Sequence, residues 1–185
     1  MFIQTESTPN PATLKFLPGR DVVIGEPREF RNAEDGAISP LATALFGVPG
    51  VTGVFLGTDF ISVTKDTADW NHIKPSVLGV IMEHFLSGKP VIDTGEPAVE
   101  AGEEFFDAGD SETVEVIKEL IATRVRPAVA MDGGDITFKG FRDGQVYLNM
   151  HGACSGCPSS TATLKAGIEN LLRHFVPGVE GVQQI

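Results

Sequence analysis

One short segment of this chain limits what the rest of it can fold into. Residues 91–110 read VIDTGEPAVEAGEEFFDAGD, with seven Asp or Glu and no Lys or Arg. A stretch of glycine, proline, alanine and acid repels itself and buries little apolar surface, so it favours an extended linker. A structureless loop of about 20 residues inside one compact domain is uncommon. The sequence therefore predicts two small domains, residues 1–90 and 111–185, joined by a flexible acidic linker over 91–110.

The composition fits globular domains and argues against two classes of partner. The chain has 185 residues, 42% of them hydrophobic, and a formal net charge of -11. Nucleic acid and anionic lipid both need clustered Lys and Arg to neutralise their phosphates, so neither is an expected partner. The sequence has no run of roughly 18 apolar residues, which is the length needed to span a bilayer. The first residues also lack the basic and apolar regions of an export signal.

The cysteine content points to a reducing compartment. The sequence holds two cysteines, Cys154 and Cys157. Small secreted domains rely on several disulfides in place of a large core, and two cysteines cannot build such a framework. We expect a bacterial cytoplasm. The alternative is the mitochondrial matrix, for a mature chain that has lost its targeting peptide.

Periodicity and turn residues predict mixed helices and strands in the first half. Ser39 and Pro40 suit the N-cap and first position of a helix, and Gly57-Thr58-Asp59 suits a hairpin turn. Apolar residues recur at helical spacing from 69 to 86 in spite of Pro75. The predicted elements, in order, are strands at TLKFLPG and VVIGEPREF, a helix at LATALFGV, a hairpin over VTGVFLGTDFISVTK and a helix over 69–86.

The second half has the pattern of a compact domain with the order α-β-β-α-β. Ser111 suits an N-cap, and the apolar stripe that follows it predicts a helix ending before Pro127. Gly133 and Gly134 can take positive φ and reverse the chain into a strand. Asp143-Gly144 predicts a hairpin, Pro158 a helix start, and VEGVQQI a final strand. The predicted fold class is therefore α+β in both domains.

The stretch HGACSGCPSS brings both cysteines into one loop. Cys154 follows a predicted strand, and Cys157 directly precedes Pro158 at a predicted helix start. Unpaired N–H groups and the positive end of a helix dipole favour thiolates, which bind metals. Gly152 and Gly156 allow the backbone to curl, so that both sulfurs can face one ligand.

Two thiolates per chain are too few for the common thiolate sites. Iron-sulfur cubanes and structural tetrahedral zinc sites ordinarily use four protein ligands. If two copies of the chain meet about a two-fold axis, a Cys154 and Cys157 pair from each completes the set. A cluster held between subunits by short loops can be released by separation or ligand exchange, which suits a carrier.

These motifs resemble the NifU-like, or Nfu-type, iron-sulfur cluster scaffold and carrier family. The stretch from MDGGDITFKGF through HGACSGCPSSTATLK resembles its C-terminal domain, and ESTPNPATLKF, SPLATALFGVPGVTGVFLGTDFISVTK and WNHIKPSV resemble its N-terminal domain. The resemblance implies a non-enzymatic carrier that holds a 4Fe-4S cluster between two subunits through Cys154 and Cys157. It also implies apo iron-sulfur proteins and an upstream assembly machinery as partners. The additional cysteines of the longer nitrogenase-associated scaffolds are absent.

Three other interpretations of these residues stay open. The C-x-x-C pair can form a thiol-disulfide couple, although here proline follows the second cysteine and no tryptophan is near. His151 extends the motif to H-x-x-C-x-x-C, which could supply three zinc ligands, or it is a solvent-facing residue at a strand end. Asp132 and Asp135 are either a metal-binding or acid-base pair, or part of a turn that ends a helix.

Overall fold

The computed structural model describes residues 1–93, 103–155 and 158–185, without the side chains of residues 158–160. The chain divides into two compact units, Met1–Pro97 and Ala98–Ile185. Each unit combines helices with a sheet around its own hydrophobic core, which confirms the α+β fold class. Among the described residues, no helix has both the length and the apolar character needed to cross a membrane.

The first unit is a five-stranded antiparallel sheet in the order β1-β2-β5-β4-β3. Alternate strand residues, such as Phe16, Val54 and Val63, point into a core that α2 completes with Ile73, Val77 and others. The elements are β1 (Gln4–Ser7), β2 (Thr13–Leu17), β3 (Arg28–Phe30), α1 (Pro40–Phe46), β4 (Val51–Leu56), β5 (Ile61–Lys65) and α2 (Trp70–Ser87).

The predicted starts of both helices in this unit are confirmed. Ser39 caps α1 by accepting a hydrogen bond from the Ala42 amide, and Pro40 is its first residue. Trp70 opens α2, where its indole nitrogen donates to the Pro11 carbonyl at 3.1 Å. This bond fixes the loop between β1 and β2 against the start of α2, so Trp70 has a packing role.

The second unit has a three-stranded sheet in the order β6-β7-β8, with β6 antiparallel and β8 parallel to β7. Asp143 and Gly144 both have positive φ, 51° and 74°, in the tight turn predicted between β6 and β7. The elements are α3 (Ser111–Leu120), α4 (Arg126–Met131), β6 (Gly134–Arg142), β7 (Gln145–Gly152), α5 (Pro158–Phe175) and β8 (Gly181–Gln184). The predicted order α-β-β-α-β is therefore confirmed.

Two predicted helix boundaries in this unit are wrong. The first helix does not end before Pro127, because one π-helical turn, Ile121–Val125, leads directly into α4. Pro127 then falls in the first turn of α4, where a missing N–H costs little. Ser111 is not the N-cap but the first residue of α3, and its hydroxyl donates to the Ala108 carbonyl.

Both described ends of the predicted linker are bonded to the adjoining unit. The Asp93 amide donates to the Ile38 carbonyl at 2.7 Å, and Val91 packs against the first core. On the other side, Phe105 forms an isolated parallel bridge with Gly140 of β6. The middle of the predicted linker, 94–102, lies outside the described residues, and the domain limits of 90 and 111 stay predictions.

Candidate functional site

Cys154 lies in the loop that follows β7, and backbone bonds define the path of this loop. Gly152 ends β7 with a φ of +66°, which a residue with a side chain rarely adopts. The Ala153 amide donates to the Gly133 carbonyl at 3.2 Å, and both the amide and the hydroxyl of Ser155 donate to the Gly152 carbonyl. Cys154 is therefore positioned by backbone bonds to the turn after α4 and to the end of β7.

The Cys154 side chain is buried against Gly134, the first residue of β6. A Cβ placed on Gly134 would come within 2.7 Å of Cys154 Sγ and of the His151 carbonyl oxygen. Cys154 is only 7% exposed and belongs to the core of the second unit. Gly134 thus has a steric role, whereas Gly133 alone has the positive φ, 80°, predicted for both glycines.

The helix after the loop is also bonded to Cys154. Thr161 in the first turns of α5 donates its hydroxyl to the Cys154 carbonyl at 2.9 Å. The sequence patterns did not single out Thr161. A hydroxyl residue soon after the second cysteine was the available signal, but its target depends on how the loop returns to the helix.

The environment of Cys154 disfavours its thiolate. Burial, and to a smaller extent the nearby carboxylates of Asp132 and Asp135, together raise the pKa of Cys154 to about 12. The expectation that this loop favours the thiolate is therefore wrong for Cys154. Desolvation and two negative charges outweigh any contribution from the start of α5.

Asp132 and Asp135 have different environments and do not form a matched pair. Asp135 is buried and accepts two hydrogen bonds of 2.9 Å from the Arg126 guanidinium, which joins the start of α4 to β6. Asp132 is exposed and ends α4, as expected for a helix-ending turn. Sequence patterns missed Arg126, because only the tertiary fold shows that it reaches Asp135.

Of the remaining candidate ligands, His151 is among the described residues and Cys157 is not. Cys157 and Gly156 lie outside the described residues, so the separation of the two sulfurs is not described. His151 pairs with Asp135 across the strands, and its Nε2 lies 3.4 Å from the Thr137 hydroxyl. Within the described part of the chain, no three His, Cys, Asp or Glu side chains form a potential metal site.

Comparisons with known proteins match both units. A model described as "Scaffold protein Nfu/NifU N terminal" matches residues 3–88, and one described as "NifU-like domain" matches residues 117–183. A solution structure of a NifU-like protein from Saccharomyces cerevisiae aligns with a TM-score of 0.46 and 30% identity, over 52% of this chain and 87% of that one.

Curated relatives match along the whole chain. The protein named "NFU1 iron-sulfur cluster scaffold homolog, mitochondrial" is 51% identical in Drosophila sechellia and 49% identical in Homo sapiens. Each alignment covers 100% of this chain, but the chain spans 65% of the length of the Drosophila protein and 72% of the human one. Given these matches, the chain belongs to the Nfu/NifU iron-sulfur cluster scaffold family.

Proposed function

We propose that this protein carries a 4Fe-4S cluster between two copies of the chain and transfers it to apo iron-sulfur proteins. Cys154 and Cys157 of each copy would be the ligands. The cluster is cargo and the protein is a carrier without catalytic activity. The observation that carries the proposal is a cysteine loop with two thiols in a chain that has no others.

The number of thiols argues for a shared site. A cubane cluster needs four ligands, and one chain supplies two. A two-fold axis passing between two loops would bring four sulfurs around one cluster. The names of the Drosophila and human relatives describe iron-sulfur cluster scaffolds, which supports this type of cargo.

The environment of Cys154 is unlike that of a redox-active thiol. Thiol-disulfide enzymes attack as thiolates, and their attacking cysteine has a lowered pKa and is exposed. Cys154 is buried, and its pKa is raised to about 12. A thiol-disulfide oxidoreductase in which Cys154 is the attacking thiol is therefore less supported, and the relatives named above give no support to an oxidoreductase.

Loading should release protons, because the ligating sulfurs must be deprotonated. On loading, the S–H bonds of the cysteines are replaced by iron-sulfur bonds. The two carboxylates near the buried Cys154 oppose its deprotonation and therefore oppose loading. A site of this kind favours hand-over to a client with a more complete set of cysteines.

Anaerobic reconstitution with iron and sulfide tests this function in the full chain. We expect about two iron and two sulfide per chain, an absorbance typical of a cubane, and a dimer in the loaded state. Cys154→Ser and Cys157→Ser should each abolish loading, and the loaded wild type should activate an apo acceptor. A strictly monomeric chain with a full cubane would refute the shared site, as would a zinc-only chain.

The role of the first unit and the compartment are separate parts of the proposal. We propose that residues 1–90 hold a client or assembly partner while the second unit presents the cluster. Transfer rates unaffected by deletion of residues 1–90, across several acceptors, would refute this. The relatives reported above are named as mitochondrial, which agrees with the alternative compartment and gives no support to a bacterial cytoplasm.

A further inference from the structure

The Thr161 hydroxyl joins α5 to the backbone of the first cysteine. Its bond to the Cys154 carbonyl is 2.9 Å long and spans seven residues. A threonine inside a helix commonly bonds to the carbonyl four residues earlier, within its own helix. The bond here is different, because it crosses the loop that contains Cys157.

Cys154 lies in an arrangement that cannot serve a cluster shared by two chains. The sulfur packs against Gly134, and the residue is 7% exposed. A cluster between two copies must touch both, so each ligating sulfur has to reach the surface of its own copy. Cys154 must therefore leave the core before it can bind.

Outward movement of Cys154 acts directly on the Thr161 bond. The carbonyl that Thr161 holds belongs to the peptide linking Cys154 to Ser155, so a backbone rotation that turns Cys154 outward also moves this carbonyl relative to α5. On the other side of the cysteine, the Ala153 amide stays bonded to Gly133. The Thr161 bond is thus a side-chain hydrogen bond that opposes this movement.

We infer that Thr161 is a positioning residue that keeps Cys154 in the core of the cluster-free chain. This inference rests on the proposed function, since it concerns a ligand of the proposed cluster. Because only the outward form binds, stabilising the buried form lowers the apparent affinity for the cluster and favours its release. One net hydrogen bond shifts such an equilibrium roughly 3-fold to 10-fold.

The first test measures access to the Cys154 thiol without a cluster. In the full chain with Cys157→Ser, alkylation of Cys154 by iodoacetamide at fixed pH follows the outward population. Thr161→Val, which keeps the shape and removes the hydroxyl, should react roughly 3-fold to 10-fold faster. Thr161→Ser keeps the hydroxyl and should react within about twofold of the parent.

A matched control comes from another threonine of the second unit. The Thr123 hydroxyl donates to the Glu119 carbonyl at 2.7 Å, within the helical segment that contains both residues. Thr123→Val makes the same chemical change and should leave the alkylation rate unchanged. An unchanged or slower rate in Thr161→Val would overturn the inference. Thr161→Ala provides a second variant without the hydroxyl if the valine variant does not fold, as judged by circular dichroism.

The second test uses chains with both cysteines and measures the cluster. Thr161→Val should bind iron and sulfide with a higher apparent affinity and transfer the cluster more slowly than the wild type or Thr161→Ser. Faster alkylation with unchanged or weaker cluster binding would overturn the role in cluster exchange. If no variant takes up a cluster, the proposed function fails, while the alkylation rates still decide whether Thr161 holds the thiol.

Discussion

At the scale of single residues, the absence of a side chain at Gly134 determines where Cys154 can lie. A Cβ at this position would come within 2.7 Å of both the cysteine sulfur and the His151 carbonyl oxygen. We expect Gly134→Ala to displace the cysteine and lower the free energy of unfolding of the second unit by about 1–3 kcal/mol. Urea unfolding followed by circular dichroism measures this change.

Gly167 provides the matched control for this substitution. It lies within α5, and apart from its chain neighbours and the adjoining helix backbone, no atom of the described residues lies within 4 Å of the place its Cβ would occupy. Gly167→Ala should raise the free energy of unfolding by about 0.5–1 kcal/mol, since alanine loses less backbone entropy in a helix. Equal effects of the two substitutions would contradict a steric role for Gly134.

The raised pKa of Cys154 predicts how the free energy of unfolding of the second unit depends on pH. The pKa of Cys154 is raised from 9.0 to about 12, chiefly by burial and then by Asp132 and Asp135. Cys154 keeps its proton to a higher pH in the folded chain than in the unfolded chain. Its contribution to the free energy of unfolding is therefore fully present below about pH 9. It is lost as the pH rises towards about 12.

Asp132→Asn should lower the pKa of Cys154 but leave it above the ordinary value, because burial is the larger cause. Thiolate absorbance against pH, recorded with Cys157→Ser, measures the change. At fixed alkaline pH the alkylation rate should rise with the thiolate fraction. A pKa that does not move in Asp132→Asn would show that the carboxylate has no effect on the thiol.

The sequence could identify the cysteine motif but not the surroundings of Cys154. The spacing of Cys154 and Cys157 before Pro158 is a local pattern, and it was sufficient for a ligand prediction. Burial against Gly134 and the nearby Asp135 carboxylate arise from the pairing of β6 with β7, and the Asp132 carboxylate comes from the end of α4. The local pattern therefore predicted a stabilised thiolate, whereas the tertiary environment has the opposite effect.

At the scale of elements, Phe105 forms an isolated parallel bridge beside β6. The Phe105 amide donates to the Lys139 carbonyl at 3.0 Å, and its carbonyl accepts from the Phe141 amide at 2.9 Å. Its ring lies on Gly140, where a Cβ would come within about 2.5 Å of it, and 5.0 Å from the ring of Tyr147. This contact protects part of an edge strand.

Phe105→Ala should detach this segment. We expect faster hydrogen exchange at the Phe141 amide and a loss of roughly 1–2 kcal/mol in the free energy of unfolding of the second unit. Phe106→Ala is the control, since Phe106 is 37% exposed and should matter by less than about 0.5 kcal/mol. Slow exchange at Phe141 in Phe105→Ala would mean that the backbone bonds alone hold the segment.

Elements with strong local signals were predicted well, and those that depend on distant partners were not. The turn at Asp143 and Gly144 and the capped start of α1 are encoded in a few neighbouring residues. β1 was missed, because its residues are mostly exposed and polar and form a strand only by pairing with β2. The sequence pattern predicted that the helix would end before Pro127, but the π-helical turn before α4 allows the helix to continue.

At the scale of the whole molecule, each of the two units has its own hydrophobic core. The buried residues of the first core all lie between Phe16 and Ile81, and those of the second between Val114 and Val182. The cysteine loop belongs to the second core through Cys154. We therefore predict that the second unit binds the proposed cluster without the first unit.

Each unit should fold as an independent fragment. We expect residues 1–93 and 103–185 to unfold cooperatively in urea, and the fragment 103–185 to take up iron and sulfide. A fragment that begins at residue 111 should be less stable than one that begins at 103 by roughly 1–2 kcal/mol, because it lacks the contacts of Phe105. Circular dichroism and urea titration of the three fragments measure this difference. Non-cooperative unfolding of either longer fragment would show that its core is insufficient without the other unit.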